Sequence, residues 1–121
     1  VVKTVGNEVN VFCDVDDTLV HWHNDYSKPG DDKIKIIDPY DKSVNYLKPH
    51  KKHIRLLKKM KGRGNFIIVW SAGGFKWAEA VVKALKLEDV VDLVMTKPAK
   101  YVDDLDASVW IGSRIYLKDD E

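Results

Sequence analysis

Among 121 residues there is one cysteine, Cys13, set inside an apolar stretch. A lone thiol excludes an internal disulfide framework and points to a reducing compartment, hence to a cytoplasmic location. Its strand-like setting reads as a small core residue rather than a nucleophile. Long apolar runs are missing too: none approaches the roughly 20 residues that a membrane-spanning helix needs. The opening stretch "VVKTVGNEVN" lacks the ordered charged, apolar and cleavage segments of a secretory signal. Neither sign of charge is in excess, the net being +1. Internal repeats and low-complexity linkers are also absent. Together these absences argue against a disulfide-stapled scaffold, a helical membrane protein and a solvated charged tail.

What is present suits a packed core. The chain is 45% hydrophobic and 32% charged, as expected of one soluble domain over 1–121 that is too short to divide in two. The near-neutral total conceals a polarity. Residues 48–64, "KPHKKHIRLLKKMKGRG", hold eight Lys or Arg, two His and no acid. Acids gather instead at 14–17, 31–32, 103–106 and the C-terminus.

"EVNVFCDV" (8–15) predicts a buried strand, and "HWHNDYSKPGDDK" (21–33) an irregular excursion. "KIKIID" and "SVNYLK" flank the turn-like "PYDK", which predicts a small β-hairpin flap within about 20–48. Ile54, Leu57 and Met60, widened by Leu56, predict a helix over 49–62 that Gly62 and Gly64 end. "NFIIVW" (65–70) reads as a strand covered on both faces. Ala78, Val81, Val82 and Leu85 predict a second helix over 74–86. Strands follow at 90–95, at 100–104 ("KYVDD") and at 114–117 ("RIYL"). This order is the rhythm of an α/β domain with a mainly parallel sheet. Ligands of such sheets sit beyond the carboxyl ends of the strands. Asp14 to Thr18, Ser71 to Gly74, and Asp103 to Asp104 all fall at those ends.

Three carboxylates within four positions, Asp14, Asp16 and Asp17, repel one another unless a cation or a chemical task stabilises them. A carboxylate at a strand end attacks phosphorus without a base and forms an acyl phosphate. A second one, two residues on, can protonate the leaving oxygen and then deprotonate water. Clustered carboxylate oxygens also suit Mg²⁺. Ser71 offers a hydroxyl, and the Ala72 to Gly74 backbone opens a helix where free N–H groups attract phosphate. Lys97 or Lys100 supplies a positive charge, and Asp103 and Asp104 complete a metal site. His21 and His23 suit a transition metal by residue type, without a placed third ligand. Trp22 and Tyr26 read as loop packing or as contacts to a leaving group, and Trp70 and Trp77 as helix–sheet packing.

"DVDDT" (14–18), Ser71 after "IIVW", Lys97 and Asp103–Asp104 occur in the order of the four motifs of the haloacid dehalogenase superfamily. Over roughly residues 9–104 the chain therefore resembles those phosphohydrolases. The resemblance implies a single Rossmann-like three-layer domain and a Mg²⁺-dependent aspartyl-phosphate mechanism. It implies Asp14 as nucleophile, Asp16 as general acid/base, and Ser71, Ala72 and Lys97 as phosphate binders. The metal would be held by Asp14, the Asp16 carbonyl, Asp103 and Asp104. Asp17 stands where many members carry glycine, and the lysine lies unusually near the acidic pair. No cap-sized insertion is present, so the expected site is open unless a partner subunit covers it. The expected substrate is a phosphomonoester: a nucleic-acid end in one reading, a nucleotide or sugar phosphate in another. A non-catalytic module binding nucleic acid or metal is the alternative from a different class.

Overall fold

The computed structural model describes residues 9–119. In chain order these form β1 (Asn10–Asp14), β2 (Val20–His21), β3 (Ile34–Ile37), β4 (Val44–Pro49), α1 (Lys51–Gly62), β5 (Phe66–Ser71), α2 (Phe75–Ala84), β6 (Leu93–Thr96) and α3 (Ala107–Trp110). β1, β5 and β6 make a parallel sheet in that order, and β2, β4 and β3 a small antiparallel one. The architecture is α/β, as the alternation of apolar runs and helical stripes predicts. No helix is long and apolar enough to cross a membrane among the described residues.

β1 and β5 run side by side with Asp14 opposite Trp70, and Ser71 pairs with Thr96 of β6. Alternation sorts their side chains between two faces. Cys13, Val15, Ile67 and Val69 are buried in one cluster with Leu57 of α1 and with Trp77, Ala78, Val81 and Val82 of α2. Burial pushes the Cys13 thiol up to about 12, with the Asp14 charge adding to it, so this cysteine is an inert core group. The opposite face carries Phe12 against Trp70, ring centroids 4.3 Å apart. There Tyr101, Trp110 and Ile111 help line a groove of about 400 Å³.

The hairpin over 34–49 forms as its alternation predicts, with Ile34 opposite Leu47 and Ile37 opposite Val44. β2 was not foreseen. It adds a third strand by pairing Val20 with Pro49 and His21 with Lys48. Ile36 and Leu47 belong to the main core cluster, so this sheet is anchored to the parallel one by apolar burial.

Two expected strands do not form. In 100–104 the polar groups are occupied locally: Asp103 accepts the Leu105 N–H, and the Tyr101 hydroxyl accepts that of Ala107. The 114–117 segment lies against the first turn of α1, where the Leu117 N–H donates to His53 Nε2 at 2.7 Å. β-Prone composition makes a strand only where a neighbouring strand supplies hydrogen bonds. The third apolar run starts late for a related reason. Val90 and Val91 bond back to the Leu87 carbonyl in a turn, so β6 begins only at Leu93.

Gly74 has φ 103° and ψ 155°, a region open essentially to glycine alone. A Cβ there would also lie 2.7 Å from Tyr40 Cζ. Gly74→Ala is therefore expected to cost about 1–3 kcal/mol in strain before any movement of Tyr40. A urea titration reads this as a lower midpoint, and an unchanged midpoint would contradict the described loop.

Candidate active site

The loop after β1 is wound tightly. The N–H groups of Thr18, Leu19 and Val20 all reach the Val15 carbonyl, and Asp17 N–H donates to the Val20 carbonyl at 2.7 Å. This winding puts Asp17 at φ 59°, a left-handed conformation that Asp tolerates better than most residues. Asp17 is exposed, and its side chain accepts the Trp22 N–H at 3.1 Å. It thus holds the loop, in keeping with a position that glycine would also fill.

Asp14 and Asp16 occupy different environments. The half-buried Asp14 receives one hydrogen bond, from Thr18 Oγ1 to Oδ2 at 3.3 Å. Its Oδ1 accepts none among the described residues, leaving a carboxylate oxygen at the carboxyl end of β1 available for attack. Asp16 receives three. Oδ1 accepts the indole N–H groups of Trp22 at 2.8 Å and Trp77 at 3.0 Å, and Oδ2 accepts Ser71 Oγ at 3.2 Å. A carboxylate has about four acceptor positions, so the one left to exchange a proton is on Oδ2.

The sequence did not indicate that two tryptophans would meet at Asp16. Trp77 is 4% exposed, and a buried indole N–H requires an acceptor. Its place six residues after Ser71, on the buried face of the following helix, was the available signal. Trp22 comes from the loop after β2, with its ring 5.8 Å from that of Trp77. Together they join the antiparallel sheet region, the β1 loop and α2 at one carboxylate.

Ser71, fully buried at the end of β5, donates to Asp16 and accepts the Gly73 N–H at 3.0 Å. The start of α2 is more occupied than its glycines suggest. Gly74 N–H bonds the Ser71 carbonyl, Phe75 N–H bonds Thr96 Oγ1 at 2.9 Å, and Lys76 N–H bonds the Tyr40 hydroxyl at 3.2 Å. The N–H groups of Gly73 and Gly74 thus do not form the open phosphate cradle expected of them. Ala72 is exposed, and its N–H has no protein acceptor among the described residues.

Lys97 follows β6 with its N–H on the Ser71 carbonyl and its ammonium 5.9 Å from the centre of the Trp70 ring. It therefore adjoins the strand ends; both lysines are exposed, and Lys100 lies further along the chain. Asp103 and Asp104 are exposed, and no hydrogen bond or ion pair joins either to Asp14 or Asp16 among the described residues. The Leu105 N–H, and then Asp104 beside it, hold the Asp103 carboxyl below the usual carboxylate range. Asp106 caps α3 by accepting the Ser108 N–H at 3.0 Å, the turn chemistry its position suggests.

Behind the loop, His53 Nδ1–H donates to the Thr18 carbonyl at 2.7 Å, while Nε2 accepts the Leu117 N–H. Those roles need the neutral ring. Burial chiefly, with His50 adding to it, keeps His53 below the ordinary imidazole range. The first turn of α1 is thereby fastened to the carboxylate loop.

Comparison of the chain with protein-family models, curated proteins and solved structures finds no match.

Proposed function

We propose that this chain is a Mg²⁺-dependent phosphatase of the haloacid dehalogenase type, on a Rossmann-like three-layer domain without a cap. The observation that carries the reading is the difference between two neighbouring carboxylates. Asp14 keeps an oxygen without a partner at the end of β1, and Asp16 is held by Trp22, Trp77 and Ser71 with one acceptor position left.

In the first step Asp14 Oδ1 bonds to phosphorus, the ester P–O bond breaks, and Asp16 gives its proton to the departing oxygen. In the second, Asp16 takes a proton from water as the water oxygen bonds to phosphorus. The aspartyl P–O bond then breaks, restoring the Asp14 carboxylate and freeing inorganic phosphate. The Ala72 N–H and Lys97 orient the phosphoryl oxygens; Ser71, expected from the sequence to share this role, has its hydroxyl proton on Asp16.

The donor chemistry fits Mg²⁺: the Asp16 carbonyl accepts no hydrogen bond among the described residues and Asp14 Oδ2 accepts the 3.3 Å bond from Thr18, both are hard oxygens, and Oδ1 is left for phosphorus. They would hold the ion with Asp103 and Asp104. When bound, it offsets the repulsion between an anionic nucleophile and an anionic phosphate.

A polynucleotide end is the substrate we favour. Arg55, Lys58 and Lys59 are exposed along α1, the helix whose first turn holds the Thr18 carbonyl, and no acid pairs with them among the described residues. By contrast, Lys48 and Lys61 of the same basic stretch are neutralised by Asp32 and Asp92. The unpaired cations suit a phosphate backbone in a salt-dependent way.

The test is phosphate release from a 3′-phosphorylated oligonucleotide and its mononucleotide, with and without Mg²⁺. Metal-dependent preference for the oligomer, with KM rising as salt is added, is the expected result. Preference for the mononucleotide would move the substrate to small phosphate esters and reduce α1 to a solvated face. Oligonucleotide binding without hydrolysis of either ester would favour a non-catalytic module.

A further inference from the structure

The groups behind the loop assemble a second constellation that the phosphatase reading does not use. His21 of β2, His50 at the start of α1 and Asp119 each offer a ligand atom within 4.8 Å of the others. They come from three segments far apart in sequence. Asp119 Oδ2 lies 3.9 Å from His21 Nε2 and 3.7 Å from His50 Nδ1. The Asp119 side chain is only 3% exposed and that of His50 0%, while His21 keeps 21%. The His21 and His50 rings stack with centroids 4.8 Å apart.

His50 Nδ1 accepts the His53 N–H at 3.2 Å, so in that role it carries no proton. It therefore faces the Asp119 oxygen as one lone pair faces another, inside the protein. The other nitrogen, Nε2, is buried without a hydrogen-bond partner, and the ring stacks against His53 as well as His21. Asp119 Oδ2 also accepts the Lys51 N–H at 3.2 Å, which holds the carboxylate in place.

We propose that His21, His50 and Asp119 form a Zn²⁺-class transition-metal site, distinct from the Mg²⁺ position at Asp14. Two imidazoles and one carboxylate are borderline donors that select zinc or cobalt over magnesium or calcium. A tetrahedral ion with bonds of about 2.0–2.1 Å sets its donors about 3.3 Å apart. The two separations from Asp119, 3.7 and 3.9 Å, are longer than that, and all three donors lie within 4.8 Å of one another, so the site closes by drawing the ligands together. His50 binds through Nδ1 in place of the long cap contact, and its Nε2 keeps the proton. The exposed edge of His21 gives the ion its entry path and leaves room for a water ligand. The site is structural in role. It fastens the last described residue to β2 and to the start of α1, where Lys52 Nζ already holds the Lys118 carbonyl at 2.8 Å.

The test uses the full chain stripped of metal by chelation and titrated with Co²⁺, read by visible absorption, then with Zn²⁺ by calorimetry. The expected result is one tight equivalent with a tetrahedral cobalt spectrum, and a higher melting temperature with Zn²⁺. His21→Ala and Asp119→Asn should each weaken binding by at least the roughly ten- to hundredfold that loss of an outer-shell partner costs. His23→Ala and Asp14→Asn should leave it unchanged. His50 caps α1, so the test uses the other two ligands, and a thermal melt of each variant separates lost binding from lost folding. Absence of a bound equivalent would overturn the proposal, as would binding that survives both ligand substitutions. Loss in His23→Ala would do the same, by assigning the ion to a surface pair of His21 and His23.

Discussion

Asp14→Asn is expected to lower phosphate release about a thousandfold or more while the chain stays folded. An amide has no anionic oxygen to bond phosphorus, and removing a nucleophile is among the largest single losses an enzyme sustains. The fold should tolerate it, because the one side-chain hydrogen bond to Asp14 comes from Thr18 and an amide oxygen accepts it equally well. Asp16→Asn is the informative companion. Its amide oxygen can still receive the two indole N–H groups, while its NH₂ turns toward Ser71, so the geometry survives and the proton shuttle does not. A loss of roughly 10²–10⁴-fold is expected. Single-turnover release with a matched thermal melt checks both variants. Activity persisting in Asp14→Asn would remove the aspartyl-phosphate mechanism, whatever the substrate.

Trp77→Ala should produce the largest fall in stability, about 3–5 kcal/mol, as expected for emptying the place of a buried tryptophan. Trp77 packs in the core cluster with Val81 and Val82, where α2 cannot collapse without leaving β5. Trp77→Phe separates packing from polarity. It keeps most of the volume but withdraws one of the two donors on Asp16 Oδ1. A stability loss of about 1 kcal/mol is expected from the lost hydrogen bond. The turnover number should fall with little change in KM, because the substituted side chain positions the acid/base rather than touching substrate. Guanidinium unfolding and steady-state kinetics read the two effects. A Trp77→Phe variant with wild-type turnover would mean that Trp22 and Ser71 suffice to hold Asp16.

The local features were legible because they are written in short stretches. Val11 to Cys13 and Ile67 to Val69 are apolar runs around which strands form, and those strands end at Asp14 and Ser71. The Ile54, Leu57, Met60 stripe and the glycines after it bound α1 to within two residues. Alternation on either side of "PYDK" placed the β3–β4 hairpin, whose register the structure supplied. The left-handed Asp17 is likewise compatible with its residue type. For these elements the decisive interactions lie within a few residues, so composition and period carry them.

Tertiary structure alone decided the rest, because it depends on groups brought together from afar. Trp22 and Trp77 have ordinary packing environments in sequence and meet at Asp16 only through the fold. Tyr40 and Thr96 occupy donors of α2 that its glycine-rich start seemed to leave free. The β-prone residues of 100–104 and 114–117 found turns and the side of α1 instead of a strand edge. His21 acquired the two companions it lacked in sequence only when β4 delivered His50 and the last described segment delivered Asp119. Residue type and period set what each stretch of this chain can become. Which donor meets which acceptor is set by long-range packing, where apolar burial brings polar groups to neighbours that no local pattern encodes.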